Sequence, residues 1–126
     1  MSQVAPAHPG QARHPYSPVR ETETGLVFVA GQLGIADGRI VEGGIAEETR
    51  QAFANLRARL GAVGLDLRSL VKITVYLTSM ADRNEMDAIY ETALPHPLPA
   101  RTCIAVTELP YGARIEIDAI GVRDGT

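Results

Sequence analysis

The segment Leu70-Val71-Lys72-Ile73-Thr74-Val75-Tyr76-Leu77 constrains the fold of this chain more than any other. It alternates with period two and is rich in β-branched residues, so it is predicted to be a strand. Segments of helical period flank it. From Ile45 onward Thr49, Phe53, Leu56, Leu60 and Val63 recur at steps of three and four, the spacing of one helix face. Glu47 and Glu48 lie in the first turn and Arg57 and Arg59 near the end, as the helix dipole favours. Gly61 and Gly64 are the stop signals. After the strand, Met86, Ile89, Tyr90, Ala93 and Leu94 form a second apolar stripe. Asp82 and Glu85 are spaced as a capping box, and Pro95 and Pro97 end the helix.

The remaining segments are predicted strands. Leu26-Val27-Phe28-Val29-Ala30 is a continuous apolar run ending at Gly31, the pattern of a strand buried on both faces. Asp37-Gly38 signals a hairpin turn, with Gln32 to Ala36 leading in and Arg39-Ile40-Val41 leading out. Two strands, Arg101 to Thr107 and Arg114 to Val122, close the chain around a turn containing Pro110 and Gly112. They are expected to pair as a hairpin. The order is therefore hairpin, helix, strand, helix, hairpin: an α+β fold with one mixed sheet of about six strands and two helices packed on one face. The other face needs a cover, and oligomerisation is the simplest one. Residues 1–14, rich in Ala, Pro, His and Gln, read as a flexible lead-in, and 15–126 as a single domain.

Composition excludes several classes. Hydrophobic residues make up 45% and charged residues 21% of 126 residues, an ordinary globular balance that argues against global disorder. The net charge is −3, and the arginines are scattered among acidic neighbours, as in Glu47-Glu48-Thr49-Arg50. Nucleic-acid binding normally leaves a clustered basic footprint, so no nucleic-acid partner is expected. No run reaches the ~18 apolar residues of a membrane span, and no hydrophobic signal-peptide run is seen. A cytoplasmic location with no membrane partner is the default. Cys103 is the single cysteine, which leaves no internal disulfide and no multi-thiolate zinc site. His8, His14 and His96 lack the spacing of a metal motif. No metal is expected.

The chemistry concentrates in Pro99-Ala100-Arg101-Thr102-Cys103-Ile104-Ala105-Val106. On a strand Arg101, Cys103 and Ala105 share one face, and Thr102, Ile104 and Val106 the other. An Arg among small residues facing a pocket calls for an anionic partner, and its planar fork fits a carboxylate as a lysine cannot. In Arg114-Ile115-Glu116-Ile117-Asp118-Ala119-Ile120, the residues Ile115, Ile117 and Ala119 are predicted to face the core and Glu116 to point away. A hairpin would bring Glu116 within direct or diagonal reach of Cys103 and Ala105, where a carboxylate can position water. The competing reading is a plain Arg101–Glu116 surface ion pair. Cys103 reads as a packed residue before a nucleophile, since no His accompanies it at a readable spacing.

Gly31-Gln32 after the apolar strand, the run Leu70 to Tyr76, and the block from Pro99-Ala100-Arg101-Thr102-Cys103 through Leu109-Pro110 to Ile115-Glu116-Ile117-Asp118-Ala119-Ile120 resemble the Rid (YjgF-like) family, from about Tyr16 to Val122. The resemblance implies a chorismate-mutase-like fold, a homotrimer with sites in the clefts between subunits, and no cofactor. It implies hydrolysis of 2-imino acids, or their enamine tautomers, to 2-oxo acids and ammonia. It places the carboxylate-binding arginine at Arg101, the water-positioning glutamate at Glu116, and a backbone contribution at Cys103. The pocket tyrosine falls on Tyr16 and the pocket glycine on Gly31.

There are departures. Asp87 stands where many deaminating members carry Asn, and an acid there changes the pocket charge and repels a second carboxylate. Its plain reading is a solvated helix-surface Asp. Tyr16 likewise has a plain reading, packing a loop beside Pro15 and Pro18. The connection from Tyr90 to Arg101 is a few residues shorter than usual and lacks the common Phe residues. The leading expectation is an imine deaminase of the 2-iminobutanoate/2-iminopropanoate type. The alternatives are a non-catalytic binder of small carboxylates, a specialised pathway deaminase or hydrolase, and a ribonuclease or translation inhibitor.

Overall fold

The computed structural model describes residues 14–124; the expectation of a flexible lead-in falls, apart from His14, outside them. Along the chain run β1 (Val19–Glu21), β2 (Leu26–Leu33), β3 (Ile35–Ala36), β4 (Arg39–Ile40), α1 (Gly44–Gly61), β5 (Leu70–Leu77), α2 (Arg83–Ala93), β6 (Ala100–Ala105) and β7 (Ile115–Val122). Five strands form one mixed sheet in the order β1-β2-β7-β5-β6, and β3 and β4 form a separate ribbon. The sheet holds five strands, and the ribbon adds two short ones. The ribbon turns at Asp37-Gly38, both at positive φ (54° and 80°), as its sequence required.

Both helices cover one face. Val27, Ile73, Val75, Leu77, Ile115 and Ile117 on the strands meet Leu56, Leu60 and Met86 on the helices, all fully buried. Each such side chain contributes about 1.5–3 kcal/mol. The α1 stripe is buried as its periodicity predicts, through Thr49, Phe53, Leu56 and Leu60. Asn55 ties α1 to the end of β2, donating from Nδ2 to the carbonyls of Leu33 (2.9 Å) and Ile35 (3.0 Å). Buried Glu48 accepts the backbone N–H of Arg114 at 2.8 Å. That bond fixes where β7 starts, and with it the register of Glu116 two residues on.

Four expectations are corrected. First, β6 and β7 do not form a hairpin: β6 runs parallel to β5 after the α2 crossover, and β5 separates it from β7. A parallel partner needs a long connection, which α2 supplies. Second, β2 is not buried on both faces. Leu26 and Phe28 are about two-fifths exposed (39% and 42%), because among the described residues no layer covers the second face. Third, the period-two alternation of Leu70–Leu77, which sets Val71 with Ile73, Val75 and Leu77, breaks at its start. A register irregularity between Leu70 and Lys72 turns Leu70 inward and Val71 outward, as a bulge does. Fourth, Asp82 caps nothing with its side chain and has helical dihedrals. A short 3₁₀ turn, Met80–Asp82, precedes α2, and Ser79 caps it by accepting from the N–H of Ala81 (3.1 Å).

Candidate functional site

Arg101 lies on the edge strand β6, opposite Ile73 of β5, and so points toward the helical layer. That is the reverse of what β6 alone suggests, since Ile104, on its more apolar face, is 41% exposed. An arginine is tolerated there because β6 overhangs α2. The guanidinium carbon sits 4.7 Å from the centroid of the Tyr90 ring, a cation–π contact. Nη1 donates to Asp87 Oδ1 at 2.5 Å, and that hydrogen bond is the main reason Arg101 holds its proton more tightly than usual. Asp87 and Tyr90 are three residues apart on α2, hence on one helix face. Arg101 therefore pairs with Asp87; the alternative Arg101–Glu116 ion pair does not form, and Asp87 is not simply solvated.

These residues border a depression of about 220 Å³ lined by Asp87, Tyr90, Glu91, Leu98, Pro99 and Arg101. Cys103, a partly buried free thiol, shares Arg101's face and packs against the core. The Tyr90 ring is buried between Arg101 and an edge-on Phe53 (centroids 5.6 Å). Its hydroxyl is the one buried side-chain polar atom without a hydrogen-bond partner among the described residues, and burial is the leading cause that raises its pKa.

The second group of residues occupies the uncovered face. Glu116 of β7 stands opposite Tyr76 of β5 and Leu33 of β2. Its carboxylate lies over Gly31: a Cβ placed on Gly31 would fall 1.7 Å from Glu116 Oε2. A side chain there could fit only if the Glu116 carboxylate moved aside, so Gly31, singled out by the sequence expectation, sets where Glu116 lies. Burial is the first cause that raises the Glu116 pKa, and the charge of Asp118 is the second. Asp118 is two residues along the same face and accepts the Tyr76 hydroxyl at 2.8 Å. Gly31→Ala is expected to push the Glu116 carboxylate aside at the low end of the overpacking range, about 1 kcal/mol. In the background of Glu116→Ala the same substitution should cost much less, which a double-mutant cycle of unfolding free energies measures.

The structure thus brings Arg101, Asp87 and Cys103 together, and separately Glu116 with Gly31. It does not bring the two sets together within one chain. Arg101 and Glu116 point to opposite faces, two strand spacings and three residues apart, or ~14 Å between Cα atoms. Tyr16 precedes β1, is 57% exposed, and has its ring centroid 5.3 Å from that of His14. Sequence reasoning missed the ring beneath Arg101, because Tyr90 read as one more member of an apolar stripe. It also missed the Tyr76–Asp118 bond, although the i,i+2 spacing of Glu116 and Asp118 already placed both on one face. Among the described residues, no group of three or more His, Cys, Asp or Glu is placed to hold a metal ion, and no helix is long and apolar enough to cross a membrane.

A five-stranded mixed sheet backed by two helices, with an arginine at its edge and a glutamate on its open face, defines the α+β class to which the chain's relatives also conform. The family model described as endoribonuclease L-PSP matches residues 6–123, and the chain belongs to that family, the YjgF/Rid family. It is 40% identical over 111 residues to the 2-iminobutanoate/2-iminopropanoate deaminase of Mus musculus, covering 86% of this chain and 82% of that protein. A candidate endoribonuclease from Thermotoga maritima has a similar crystal structure, with a TM-score of 0.84 at 38% identity over 91% of each chain. TdcF of E. coli, crystallised with bound serine, superposes with a TM-score of 0.81 at 28% identity, covering 90% of this chain and 91% of TdcF.

Proposed function

We propose that this chain hydrolyses small 2-imino acids, or their enamine tautomers, to 2-oxo acids and ammonia, the activity by which its mouse relative is named. The observation that carries the reading is the state of Arg101. Its guanidinium is held over the Tyr90 ring and tied through Nη1 alone, so Nε and Nη2 have no partner among the described residues. That free edge is a fork for one carboxylate. The bound serine of TdcF, a small molecule with one carboxylate, supports this ligand class.

The chemistry asks little of the protein. In a protonated imino acid C2 is already electrophilic. Water adds to C2 as its O–H proton passes to a base; the base returns that proton to nitrogen, and the carbinolamine expels ammonia as its hydroxyl loses a proton and the C2=O bond forms. One water is consumed and no electrons are exchanged, so no redox partner enters. Arg101 fixes the carboxylate, and aligning water with C=N supplies most of the acceleration. Glu116 is the base, with Cys103 contributing backbone and Tyr16 and Gly31 completing the pocket.

Because Arg101 and Glu116 of one chain face opposite ways, the working site takes Arg101 from one copy and Glu116 from another, in a homotrimer. The exposed Leu26, Phe28 and Val122, neighbours by strand register, and Ile104 further across the same face favour such an assembly, since apolar exposure of this kind marks interaction surfaces. The net charge of −3 favours a small carboxylate in the site over a polyphosphate strand.

The test is hydrolysis of 2-iminopropanoate and 2-iminobutanoate generated in place by an amino-acid oxidase or dehydratase, with semicarbazide trapping the surviving imine. Faster imine loss with the wild type and none with Arg101→Ala is the expected result. Carboxylate binding without turnover would leave a non-catalytic binder. Light scattering should give three copies per particle, and a clean monomer would sink the shared site.

A further inference from the structure

Resting on the reading of Arg101 as a carboxylate clamp, we infer that Asp87 is the second half of a zwitterion reader: Arg101 takes the ligand's carboxylate and Asp87 the protonated nitrogen on the neighbouring carbon. The pair is built for sharing. Asp87 binds Arg101 through Oδ1 only, at 2.5 Å. Its other oxygen, Oδ2, lies 3.8 Å from Nε of Arg83, a side chain 55% exposed. That separation is too long for a hydrogen bond, so Oδ2 keeps its accepting capacity. Asp87 is one-third exposed beside the depression and Arg101 one-fifth. Each partner therefore has one edge committed and one edge open, and Tyr90 holds the guanidinium in place.

The charges around the depression decide the ligand class. Among the described residues Arg101 is the one cation in its lining, with Arg83 outside it and 3.8 Å from Asp87, whereas Asp87 and Glu91 are both lining carboxylates. A ligand with a lone carboxylate gains Arg101 but brings a third negative charge among these groups. A ligand with adjacent carboxylate and cationic nitrogen satisfies Arg101 and Asp87 at once, and Leu98 and Pro99 offer an apolar wall to a short side chain. A protonated 2-imino acid has this arrangement; the 2-oxo acid has lost the cation. Asp87 thus favours the ligand before hydrolysis over the one after it. It also stabilises the protonated imine, the form that water attacks. A second carboxylate on the ligand meets repulsion from both Asp87 and Glu91.

Calorimetric titration of the assembled protein with 2-aminobutanoate and 2-oxobutanoate tests this, since the two share a carbon skeleton and differ at C2. The wild type is expected to bind 2-aminobutanoate about tenfold or more tighter, the effect of one charge-assisted hydrogen bond. Asp87→Asn should bring the two affinities within about threefold, by weakening 2-aminobutanoate while 2-oxobutanoate binds as well or better. Thermal unfolding at wild-type temperature would show the variant intact. An unchanged ratio in Asp87→Asn, or a wild-type preference for 2-oxobutanoate, overturns the role of Asp87 and leaves Arg101 standing. Equal binding of both ligands by Arg101→Ala and the wild type overturns the carboxylate clamp, and the zwitterion reader with it.

Discussion

Arg101→Ala is expected to lower kcat/KM for a 2-imino acid by about 10²–10³-fold, the loss of roughly 3–4 kcal/mol from two charge-assisted hydrogen bonds to one carboxylate. The fold should survive it. Arg101 is on an edge strand, and its removal leaves Asp87 exposed to water with Arg83 already 3.8 Å away, so no buried charge is stranded. A loss in unfolding free energy of about 1–2 kcal/mol is expected, because the pair is only partly exposed and the contact with Tyr90 goes with it. Arg101→Lys is informative beside it. A lysine keeps the charge but not the planar fork or the stacking on Tyr90, so it should recover only a small part of the rate. Full activity in Arg101→Lys would mean that the site needs charge alone, and near-wild-type activity in Arg101→Ala would remove Arg101 from it.

Glu116→Gln should lower kcat by about 10²–10⁴-fold, the usual contribution of a positioned base. The fold should not suffer. Burial and Asp118 both raise the Glu116 pKa, so the folded protein holds this proton more tightly than the unfolded chain. By linkage, ionising Glu116 costs stability as pH rises from the ordinary carboxylate range through the raised folded pKa, and the cost persists above it. Glu116→Gln removes that cost. At neutral pH the variant should melt no lower than the wild type, and the difference should shrink as both are taken to acid pH. Loss of rate without loss of stability separates a working carboxylate from a structural one. The sign for activity follows the same shift. A base must be ionised, so the rate should rise with pH through a limb above the ordinary carboxylate range. Asp118→Asn removes the smaller of the two causes and should move that limb down without returning it fully, because burial remains. A limb that does not respond to Asp118→Asn would mean that Glu116 is not the group being titrated.

Much of this was legible in the residues. The strand Leu70–Leu77 and the helix from Gly44 to Gly61 fall where period two and period 3.6 place them. Asp37-Gly38 forms the turn that its two residues permit, and Ile115, Ile117 and Ala119 face the core as their alternation requires. The strands, helix and turn share a cause: each depends on dihedral preferences and side-chain period within a few residues, which the local sequence encodes. Arg101 and Glu116 were selectable by residue type and neighbourhood, whereas Gly31 and Asp87 entered only through the family resemblance.

What the sequence could not set is who stands beside whom. The closing strands read as a hairpin because they are consecutive and separated by a turn, yet β6 pairs with β5 and β7 lies beyond it. Strand pairing is a contest among distant edges, decided by how the whole sheet buries its apolar face, and no local pattern reports the winner. That choice moved Arg101 to the helical side and gave it Asp87 and Tyr90 as neighbours. It also left Glu116 on the opposite face, over Gly31. The residues able to do the chemistry were thus determined by the sequence itself. Which of them share a face was decided by tertiary structure, because only the assembled sheet determines which side of a strand meets a helix and which remains open.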